Sequence, residues 1–284
     1  MQKKIITIQD LSCTGRCSGT IALPVLSALG IETAFVPTTI LSTHTGGFGT
    51  PYIADCTGHL PGILEHWKRE KIGADGVYAG YLGSKDQMEL VRRFCKELGN
   101  LPLYLDPVMG DQGKLYAGFD ETYLEKMREL VKGATMIFPN LTETCALLSL
   151  PYLEQFEEEE IRKMIKMLQT MGPDKVMITG ISSEDGRFLG NCYGEEGRIE
   201  FFRNRKTKGH FHGTGDLFAS CLIGAHLSGM EIKDSVKLAA DFVCASIEKT
   251  LETPYEERDG VRFEQCLFML TDAVRSDNKR QACG

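Results

Sequence analysis

The sequence lacks long apolar runs, an excess of positive charge and any Cys-x-x-Cys pair, and each absence excludes a class of protein. No segment has the uncharged apolar length of a membrane helix, and residues 1–8 are typical of a short strand rather than a signal peptide. The 32 Lys and Arg against 39 Asp and Glu give a formal charge of −7, which argues against a nucleic-acid partner and against an anionic membrane surface. The 10 cysteines are scattered and lack zinc-ligand spacing, so we expect reduced thiols and a cytoplasmic protein.

Two nucleotide-binding motifs are also missing. A dinucleotide-dependent oxidoreductase needs Gly-x-Gly-x-x-Gly directly after its first strand, and this chain offers Gly15 and Gly19 without that pattern. The Gly-x-x-x-x-Gly-Lys-Ser/Thr loop of Walker-type NTPases does not occur either. A phosphate site in this chain therefore requires a different arrangement of donors.

Short β-rich runs alternate with longer helical patterns, which is typical of βαβ units around a mostly parallel sheet. The strands are predicted at Lys4–Gln9, Thr33–Ile40, Gly76–Tyr78, Leu103–Leu105, Met136–Phe138 and Lys175–Thr179, with a late hairpin of Gly186–Tyr193 and Arg198–Phe202. The helices are predicted at Thr20–Leu29, His59–Lys71, Lys85–Leu98, Glu121–Val131, Thr142–Ser149, Glu157–Met171, Gly215–Leu227, Lys233–Thr250 and Phe263–Val274. We expect one α/β domain over residues 1–276 and a disordered tail over residues 277–284.

Polar residues follow several of the predicted strands. Ligands of open parallel sheets bind beyond the carboxyl ends of the strands, where the connecting loops meet. The residues found at these positions are Asp10, His44, Thr45, Tyr81, Asp106 and Asn140. A single polar residue after a strand is also common in turns and helix caps, whereas polar residues after five strands indicate a ligand site at this edge of the sheet.

The segment Gly213–Asp216 places two glycines and a carboxylate where a helix of small and apolar residues is predicted to begin. The first N–H groups of a helix have no intrahelical partner, and the helix dipole adds positive charge there, so this is an anion site. A carboxylate beside an anion site is unfavourable unless it transfers a proton. The alternative is that Asp216 is a first-turn helix acid that stabilises the helix by roughly 0.3–1 kcal/mol.

Taken together, these segments resemble the pyridoxal kinase branch of the ribokinase superfamily. The resemblance spans most of the chain and includes the segments Ile8–Gln9, Ser42–Thr45, Gly80–Ser84, Asp106–Asp111, Pro139–Glu143 and Gly213–Asp216. It implies a three-layer α/β/α fold, a homodimer, and ATP-dependent phosphorylation of the hydroxymethyl group of a vitamin B6 vitamer. It further implies Mg²⁺ as cofactor and, as in some relatives, K⁺.

By this resemblance, Asp216 matches the catalytic base that takes the proton from the acceptor alcohol. Gly213, Thr214 and Gly215 match the backbone donors to the transferred phosphoryl group. Phosphoryl transfer depends mainly on positioning and electrostatic stabilisation, which suits this arrangement.

For ATP, the resemblance matches Asp106, Asn140, Glu143 and Thr179 to nucleotide-binding positions. Asp106 and Glu143 would hold Mg²⁺, directly or through water, and Asp111 is a weaker match. From the local sequence alone, Asn140 and Glu143 also fit a helix capping box, and Thr179 fits an ordinary strand end.

For the acceptor, the resemblance matches Asp10, His44, Thr45 and Tyr81 to the vitamer pocket. His44 is expected to pack on the ring rather than transfer a proton, since no carboxylate adjacent in sequence orients it. Tyr81 is equally compatible with ordinary packing.

Asp10 departs from the pattern, because well-known pyridoxal kinases have Ile-Gln-Ser where this chain has Ile-Gln-Asp. A carboxylate attracts a cationic amine or ring nitrogen, so we expect a preference for pyridoxamine or a pyrimidine-like acceptor over pyridoxal. The nearest alternative is therefore hydroxymethylpyrimidine kinase, although that relative often has cysteine where Asp216 stands. A sugar or nucleoside kinase and a non-catalytic vitamer-binding protein are the further alternatives.

Overall fold

The computed structural model describes residues 2–153, 155–182, 188–205 and 211–283. Its internal contacts divide the chain into two compact units. The first unit comprises Met1–Gly58 and Thr207–Gly284, and the second comprises His59–Lys206. A single domain over residues 1–276 stays a prediction.

The secondary structure follows the predicted alternation of strands and helices. The strands are β1 (Lys4–Ser12), β2 (Glu32–Leu41), β3 (Ile53–Asp55), β4 (Gly76–Ala79), β5 (Leu103–Leu105), β6 (Gly110–Asp111), β7 (Lys114–Leu115), β8 (Met136–Ile137), β9 (Lys175–Ser182), β10 (Phe188–Glu195) and β11 (Arg198–Arg205). The helices are α1 (Ser18–Ala28), α2 (Leu60–Arg69), α3 (Lys85–Glu97), α4 (Glu121–Val131), α5 (Leu141–Leu148), α6 (Glu158–Thr170), α7 (Thr214–Leu227), α8 (Ile232–Leu251) and α9 (Phe268–Cys283).

In the first unit, β1 runs parallel to β2, and β3 pairs antiparallel with the other side of β2. Strand β1 is almost entirely buried, as expected for a parallel strand covered on both faces. The register between β1 and β2 shifts between Gln9 and Leu11. Pro37, the partner of Gln9, has no backbone N–H to donate, so the ladder is interrupted there. Asp10 lies at this irregularity.

In the first unit, α1 packs on β1 and on the sequence-distant helix α7, and α7 packs on α8. Helix α7 is buried continuously over the range Leu217–Ala225, which accounts for its small and apolar composition. A Cβ atom on Gly224 would lie 2.6 Å from Cδ1 of Leu29, so the glycine permits the close approach of α1.

In the second unit, the strand order is β4, β5, β8, β9, β10 and β11. The first four strands are parallel, and β10 and β11 form the predicted antiparallel hairpin. Glu196 and Gly197 join the two hairpin strands with φ values of 48° and 78°, as a type I′ turn requires. The α/β class and the mostly parallel strands are therefore confirmed.

The differences from the predicted elements are confined to short or terminal segments. Strands β3, β6 and β7 have two or three residues, too few to show the alternation that identifies a strand in sequence. Helix α9 begins five residues after Phe263, since Glu264–Cys266 forms a 3₁₀ turn. It continues to Cys283, over residues for which disorder was expected. The start of the predicted hairpin at Gly186 lies outside the described residues.

Among the residues that the structure describes, no helix is long and apolar enough to cross a membrane.

Candidate active site

Asp216 lies in the first turn of α7. Gly213 precedes this helix with a left-handed backbone, at φ 81° and ψ 0°. The first helical hydrogen bond runs from the N–H of Leu217 to the carbonyl of Gly213, at 2.9 Å. The N–H groups of Thr214, Gly215 and Asp216 therefore have no carbonyl of their own helix to bond. The predicted coincidence of a helix start with a carboxylate is confirmed.

Asp216 is half-buried and hydrogen-bonded to the first turn of another helix. Its Oδ2 accepts the backbone N–H of Ser18 at 2.9 Å. Burial raises the pKa of Asp216 from 3.8 to about 7, the Ser18 N–H lowers it, and the charge of Asp10 raises it. The carboxyl thus exchanges its proton near neutral pH, which is the property required of a general base.

Asp10 is buried close to the same helix start and is 5% exposed. Burial raises the pKa of Asp10, while hydrogen bonds from the side chains of Ser18 and Ser12 lower it. The Ser12 hydroxyl is a distant donor, at 3.4 Å from Oδ2 of Asp10. Burial and the charges of Asp10 and Asp216 raise the pKa of the Cys17 thiol, which disfavours the thiolate form that a nucleophile or a metal ligand needs.

Ser18 was not predicted as a site residue. Its φ of 43° lies in the left-handed region, which costs a residue other than glycine roughly 1–3 kcal/mol when the surroundings impose it. The residue is buried and is the first of α1. No signal in the sequence points to this conformation, because serine ordinarily occupies helical or extended backbone.

His44 is bonded to backbone through both ring nitrogens. Its Nδ1 accepts the N–H of Gly46 at 3.0 Å, so Nε2 carries the hydrogen and donates to the Arg258 carbonyl at 2.6 Å. The His44 ring lies 5.1 Å from the ring of His212 and 5.0 Å from that of Phe48. These contacts anchor the loop after β2 to the segment around Arg258. Packing of His44 on the vitamer ring stays a prediction.

Thr45, the residue after His44, is exposed.

Arg16 anchors a second loop of the first unit. Its Nε lies 2.7 Å from Oε1 of Glu264, and its guanidinium donates to the Asp259 carbonyl at 3.1 Å. Arg16, His212 and Arg258 were not singled out from the sequence. Their partners lie far away along the chain, and no local pattern reveals such pairs.

In the second unit, Asn140 and Glu143 form the capping box of α5. The side chain of Asn140 accepts the N–H of Glu143 at 2.9 Å, and Oε2 of Glu143 accepts the N–H of Asn140 at 2.9 Å. The second oxygen of Glu143 accepts the N–H of Met109 at 3.0 Å, and Nδ2 of Asn140 donates to the Gly110 carbonyl at 2.9 Å. The pair therefore fixes the loop after β5 to the start of α5.

Glu143 is 3% exposed. Burial raises its pKa, and the N–H groups of Asn140, Met109 and Gly110 lower it. The two reciprocal hydrogen bonds between Asn140 and Glu143 thus confirm the capping box that the local sequence suggested. Because both Glu143 oxygens already accept backbone hydrogen bonds, this residue is better suited to hold a cation through water than directly.

Asp106 follows β5, and Thr179 lies within β9, which continues to Ser182, three residues beyond the predicted strand end. Asp106 is buried directly after β5, and its N–H donates to the Ala79 carbonyl at 2.9 Å. Thr179 is half-buried and forms a parallel bridge with Asn140. The structure thus brings Thr179 beside the capping box and places Asp106 on the loop that the box fixes.

Tyr81 follows β4 and belongs to an aromatic row. Its ring lies 5.9 Å from that of Phe119, which stacks on Tyr123 at 3.8 Å. The hydroxyl of Tyr123 donates to the Leu82 carbonyl at 2.6 Å, so the row is fixed to the segment that carries Tyr81.

The described residues contain no group of three or more His, Cys, Asp or Glu side chains that could hold a metal ion by themselves. Mg²⁺ commonly keeps several waters and takes its remaining ligands from one or two carboxylates and from substrate phosphates. The oxygens of Asp106, Asn140 and Glu143 fit a cation of this kind that arrives with a nucleotide.

Comparison with known proteins places the chain in a family. Residues 67–258, more than half of the chain, match the sequence model of the phosphomethylpyrimidine kinase family. A pyridoxal kinase of Arabidopsis thaliana is 29% identical over 262 residues, covering 88% of this chain and 82% of the relative. A candidate phosphomethylpyrimidine kinase of Bacteroides thetaiotaomicron, crystallised with pyridoxal, is 33% identical with a TM-score of 0.91, covering 95% of this chain and 96% of that one. The pyridoxal kinase of Lactobacillus plantarum is 30% identical with a TM-score of 0.87, covering 99% of both chains. The chain therefore belongs to the phosphomethylpyrimidine kinase family, in the ribokinase-like branch that contains the pyridoxal kinases.

Proposed function

We propose that this protein is an ATP-dependent kinase that phosphorylates the hydroxymethyl group of a vitamin B6 vitamer. The observation that carries the proposal is Asp216, a carboxyl in the first turn of α7 whose pKa is raised to about 7 by burial. Relatives named pyridoxal kinase, similar over most of the chain, support the substrate class.

In this proposal, Asp216 accepts the proton of the acceptor hydroxyl as its oxygen bonds to the γ-phosphorus of ATP. The bond from that phosphorus to the β,γ-bridging oxygen breaks, and ADP leaves. Gly213, Thr214 and Gly215 contribute backbone N–H groups to the charge that develops on the transferred group. The N–H of Ser18, at 2.9 Å from Oδ2, holds the carboxylate in place.

On the nucleotide side, Asp106, Asn140, Glu143 and Thr179 are proposed to bind the phosphates of ATP and its metal. Mg²⁺ would neutralise phosphate charge when bound, with Asp106 and Glu143 holding it through water. This assignment is supported by the hydrogen bonds that join Asn140 and Glu143 to the loop of residues 109–110.

On the acceptor side, Asp10, His44, Thr45 and Tyr81 are proposed to surround the vitamer ring. Asp10 is buried, so a cationic amine or a protonated ring nitrogen of the acceptor would relieve the cost of its charge. His44 would contribute its ring face, because both of its nitrogens are hydrogen-bonded to backbone.

A second candidate is phosphorylation of hydroxymethylpyrimidine, which the description of the matching family supports. The same buried carboxylate of Asp10 would suit an aminopyrimidine ring. The two candidates share the transfer chemistry and differ only in the acceptor.

The deciding experiment is a panel of acceptors assayed with Mg·ATP, measuring ADP formation and the phosphorylated product. We expect turnover with at least one B6 vitamer and no ADP without an acceptor. Preferential turnover of hydroxymethylpyrimidine supports the second candidate. Binding of a vitamer with no ADP formed contradicts both candidates and leaves a vitamer-binding protein.

A cytoplasmic homodimer with K⁺ dependence completes the proposal, and it rests on the family resemblance alone. Sedimentation of the purified chain measures the assembly, and replacement of K⁺ by Na⁺ in the same assay measures the cation dependence.

A further inference from the structure

The loop after β2, residues 42–52, carries two of the residues proposed to bind the acceptor, His44 and Thr45. It contains neither helix nor strand, and two of its three glycines, Gly47 and Gly49, have left-handed backbone at φ 82° and 80°. Glycine loses more conformational freedom on ordering than any other residue. A loop of this composition therefore keeps one arrangement only where contacts with other segments hold it.

Arg258 makes three such contacts with the loop. Its backbone carbonyl accepts a hydrogen bond from Nε2 of His44 at 2.6 Å. Its guanidinium lies over the ring of Phe48, at 5.1 Å from the ring centroid. A Cβ atom built on Gly47 would lie 2.8 Å from Cβ of Arg258, so the backbone of the loop passes directly against this side chain. One arginine thus contacts the loop through both its main chain and its side chain.

The segment that carries Arg258 is itself fixed within the first unit. Arg258 lies in the 3₁₀ turn Glu257–Asp259. The carbonyl of Asp259 accepts a hydrogen bond from the guanidinium of Arg16 at 3.1 Å. Gly260 has a φ of 71°, and a Cβ atom built there would lie 2.9 Å from the Arg16 carbonyl oxygen. The turn is therefore held against the segment before α1 and can serve as a fixed support for the loop.

We propose that Arg258 is a positioning residue for the acceptor, because its side chain holds residues 42–52 in the arrangement that binds the vitamer ring. The attraction between the guanidinium and the Phe48 ring favours the ordered loop. An acceptor that binds only the ordered loop has an apparent affinity reduced by the fraction of molecules in which the loop is ordered. This inference rests on the proposed function and names a residue that sets acceptor affinity without contacting the acceptor.

Two variants test the guanidinium and leave the main-chain carbonyl that bonds His44. Arg258→Ala removes the cation, and Arg258→Lys keeps a cation that can lie over the Phe48 ring. We expect Arg258→Ala to raise the KM for the acceptor roughly two- to fivefold, as for loss of a cation–π contact at a partly exposed site, with kcat unchanged. Arg258→Lys should recover most of this loss. The KM for ATP should stay the same, because no residue proposed to bind the nucleotide is altered.

Phe48→Leu tests the partner of the guanidinium, since it keeps an apolar side chain and removes the ring. If Arg258 acts through this ring, Arg258→Ala should raise the acceptor KM further by less than twofold in the Phe48→Leu background. Fully additive effects of the two substitutions would contradict a direct interaction between these side chains.

Arg92→Ala is the matched control, because Arg92 is also a partly exposed arginine with a glutamate partner. Its side chain is 54% exposed and lies 3.6 Å from Glu89, whereas that of Arg258 is 43% exposed and lies 2.6 Å from Glu256. Arg92 belongs to α3 of the second unit, and we expect unchanged kinetics. A similar rise of the acceptor KM in Arg92→Ala would contradict a specific role of Arg258.

Amide hydrogen exchange of the purified protein provides a readout that does not depend on catalysis. Peptides covering residues 42–52 should exchange faster in Arg258→Ala than in the wild type and in Arg258→Lys, while peptides of β1 should exchange at the same rate in all three. Faster exchange in β1 as well would indicate general destabilisation and would overturn the proposal. Unchanged exchange of the loop, or an unchanged acceptor KM, would also overturn it.

A wild-type protein without kinase activity contradicts the proposed function instead. In that case, hydrogen exchange decides whether Arg258 orders the loop. Faster exchange of residues 42–52 in Arg258→Ala alone supports the positioning role, and equal exchange in both variants and the wild type refutes it.

Discussion

The carbonyl oxygen of Arg16 occupies the space that a Cβ atom on Gly213 would need. Gly213 has a φ of 81°, so it combines a left-handed backbone with contact against another main chain. Arg16 belongs to the segment before α1, whose next residues include Ser18, the donor to Asp216. The absence of a side chain at Gly213 therefore allows the start of α7 and the start of α1 to lie in contact.

Gly213→Ala is predicted to abolish most kinase activity and to destabilise the protein. The left-handed backbone alone costs alanine roughly 1–2 kcal/mol, and displacement of the Arg16 carbonyl adds to this. Gly30→Ala is the matched control, because Gly30 has the same φ of 81° and no described residue lies within 4 Å of a Cβ atom built there. Chemical denaturation and turnover of both variants provide the measurement. Equal activity of the two variants would show that the approach of Arg16 is unimportant.

Asp216→Asn is predicted to lower kcat by roughly 10²–10⁴, the range for a positioned general base, with little change in nucleotide affinity. The amide keeps the shape of the side chain and an oxygen that can accept the Ser18 N–H. In the wild type, kcat/KM should fall below about pH 7, since Asp216 then binds a proton. Near-normal turnover of the variant would remove Asp216 from the mechanism.

The same substitution is predicted to stabilise the protein at alkaline pH. The pKa of Asp216 is raised from 3.8 to about 7 in the folded chain, so its contribution to stability is fully present below pH 3.8 and is lost as pH rises through 7. Asparagine does not ionise and has no such loss. Urea unfolding at pH 5 and pH 8 should show a growing advantage of the variant, on the order of 1–3 kcal/mol at pH 8. An advantage that does not change with pH would contradict the raised pKa.

The sequence predicts those features of the fold and the site that depend on residues close together along the chain. The parallel strands were predictable because buried strands are rich in apolar β-branched residues, as in Ile5, Ile6 and Ile8 of β1. The start of α7 was predictable because glycines and a carboxylate mark it locally. The contacts of Arg16 with Glu264 and of His44 with Arg258 could not be predicted, since they join residues more than 200 positions apart.

The capping box of α5 makes both predictable local hydrogen bonds and unpredictable long-range ones. Its internal hydrogen bonds join residues three apart, and the spacing of Asn140 and Glu143 predicts them. The bonds from Glu143 to Met109 and from Asn140 to Gly110 cross 34 and 30 positions and have no local signal. The proposed roles of these residues toward ATP and Mg²⁺ stay predictions.

Asp10→Ser is predicted to reduce the preference for pyridoxamine relative to pyridoxal and pyridoxine. Removal of a buried carboxylate removes its attraction to a cationic amine, worth roughly tenfold in the ratio of kcat/KM values. Asp10→Asn serves as the control for size, because it removes the charge and keeps the shape. Ratios that are unchanged in both variants would exclude a role of this charge in acceptor choice.

Glu143→Gln is predicted to lower both the stability of the protein and its apparent affinity for Mg·ATP. The glutamine amide has one acceptor oxygen, so it cannot accept the N–H groups of Met109 and Asn140 together, and one buried donor loses its partner. An unsatisfied buried donor costs about 1–3 kcal/mol. Glu160→Gln is a matched control, because Glu160 occupies the same capping-box position in α6 and is exposed.

Urea unfolding and a titration of activity with Mg²⁺ at fixed ATP distinguish two contributions of Glu143. If it acts only by fixing the loop of residues 109–110, its loss reduces stability and leaves the Mg²⁺ dependence unchanged. If it also holds the cation through water, the Mg²⁺ concentration for half-maximal activity rises as well. Glu160→Gln should leave the Mg²⁺ dependence unchanged. A Glu143→Gln protein as stable as the wild type would contradict the hydrogen bonds from Met109 and Asn140 to Glu143.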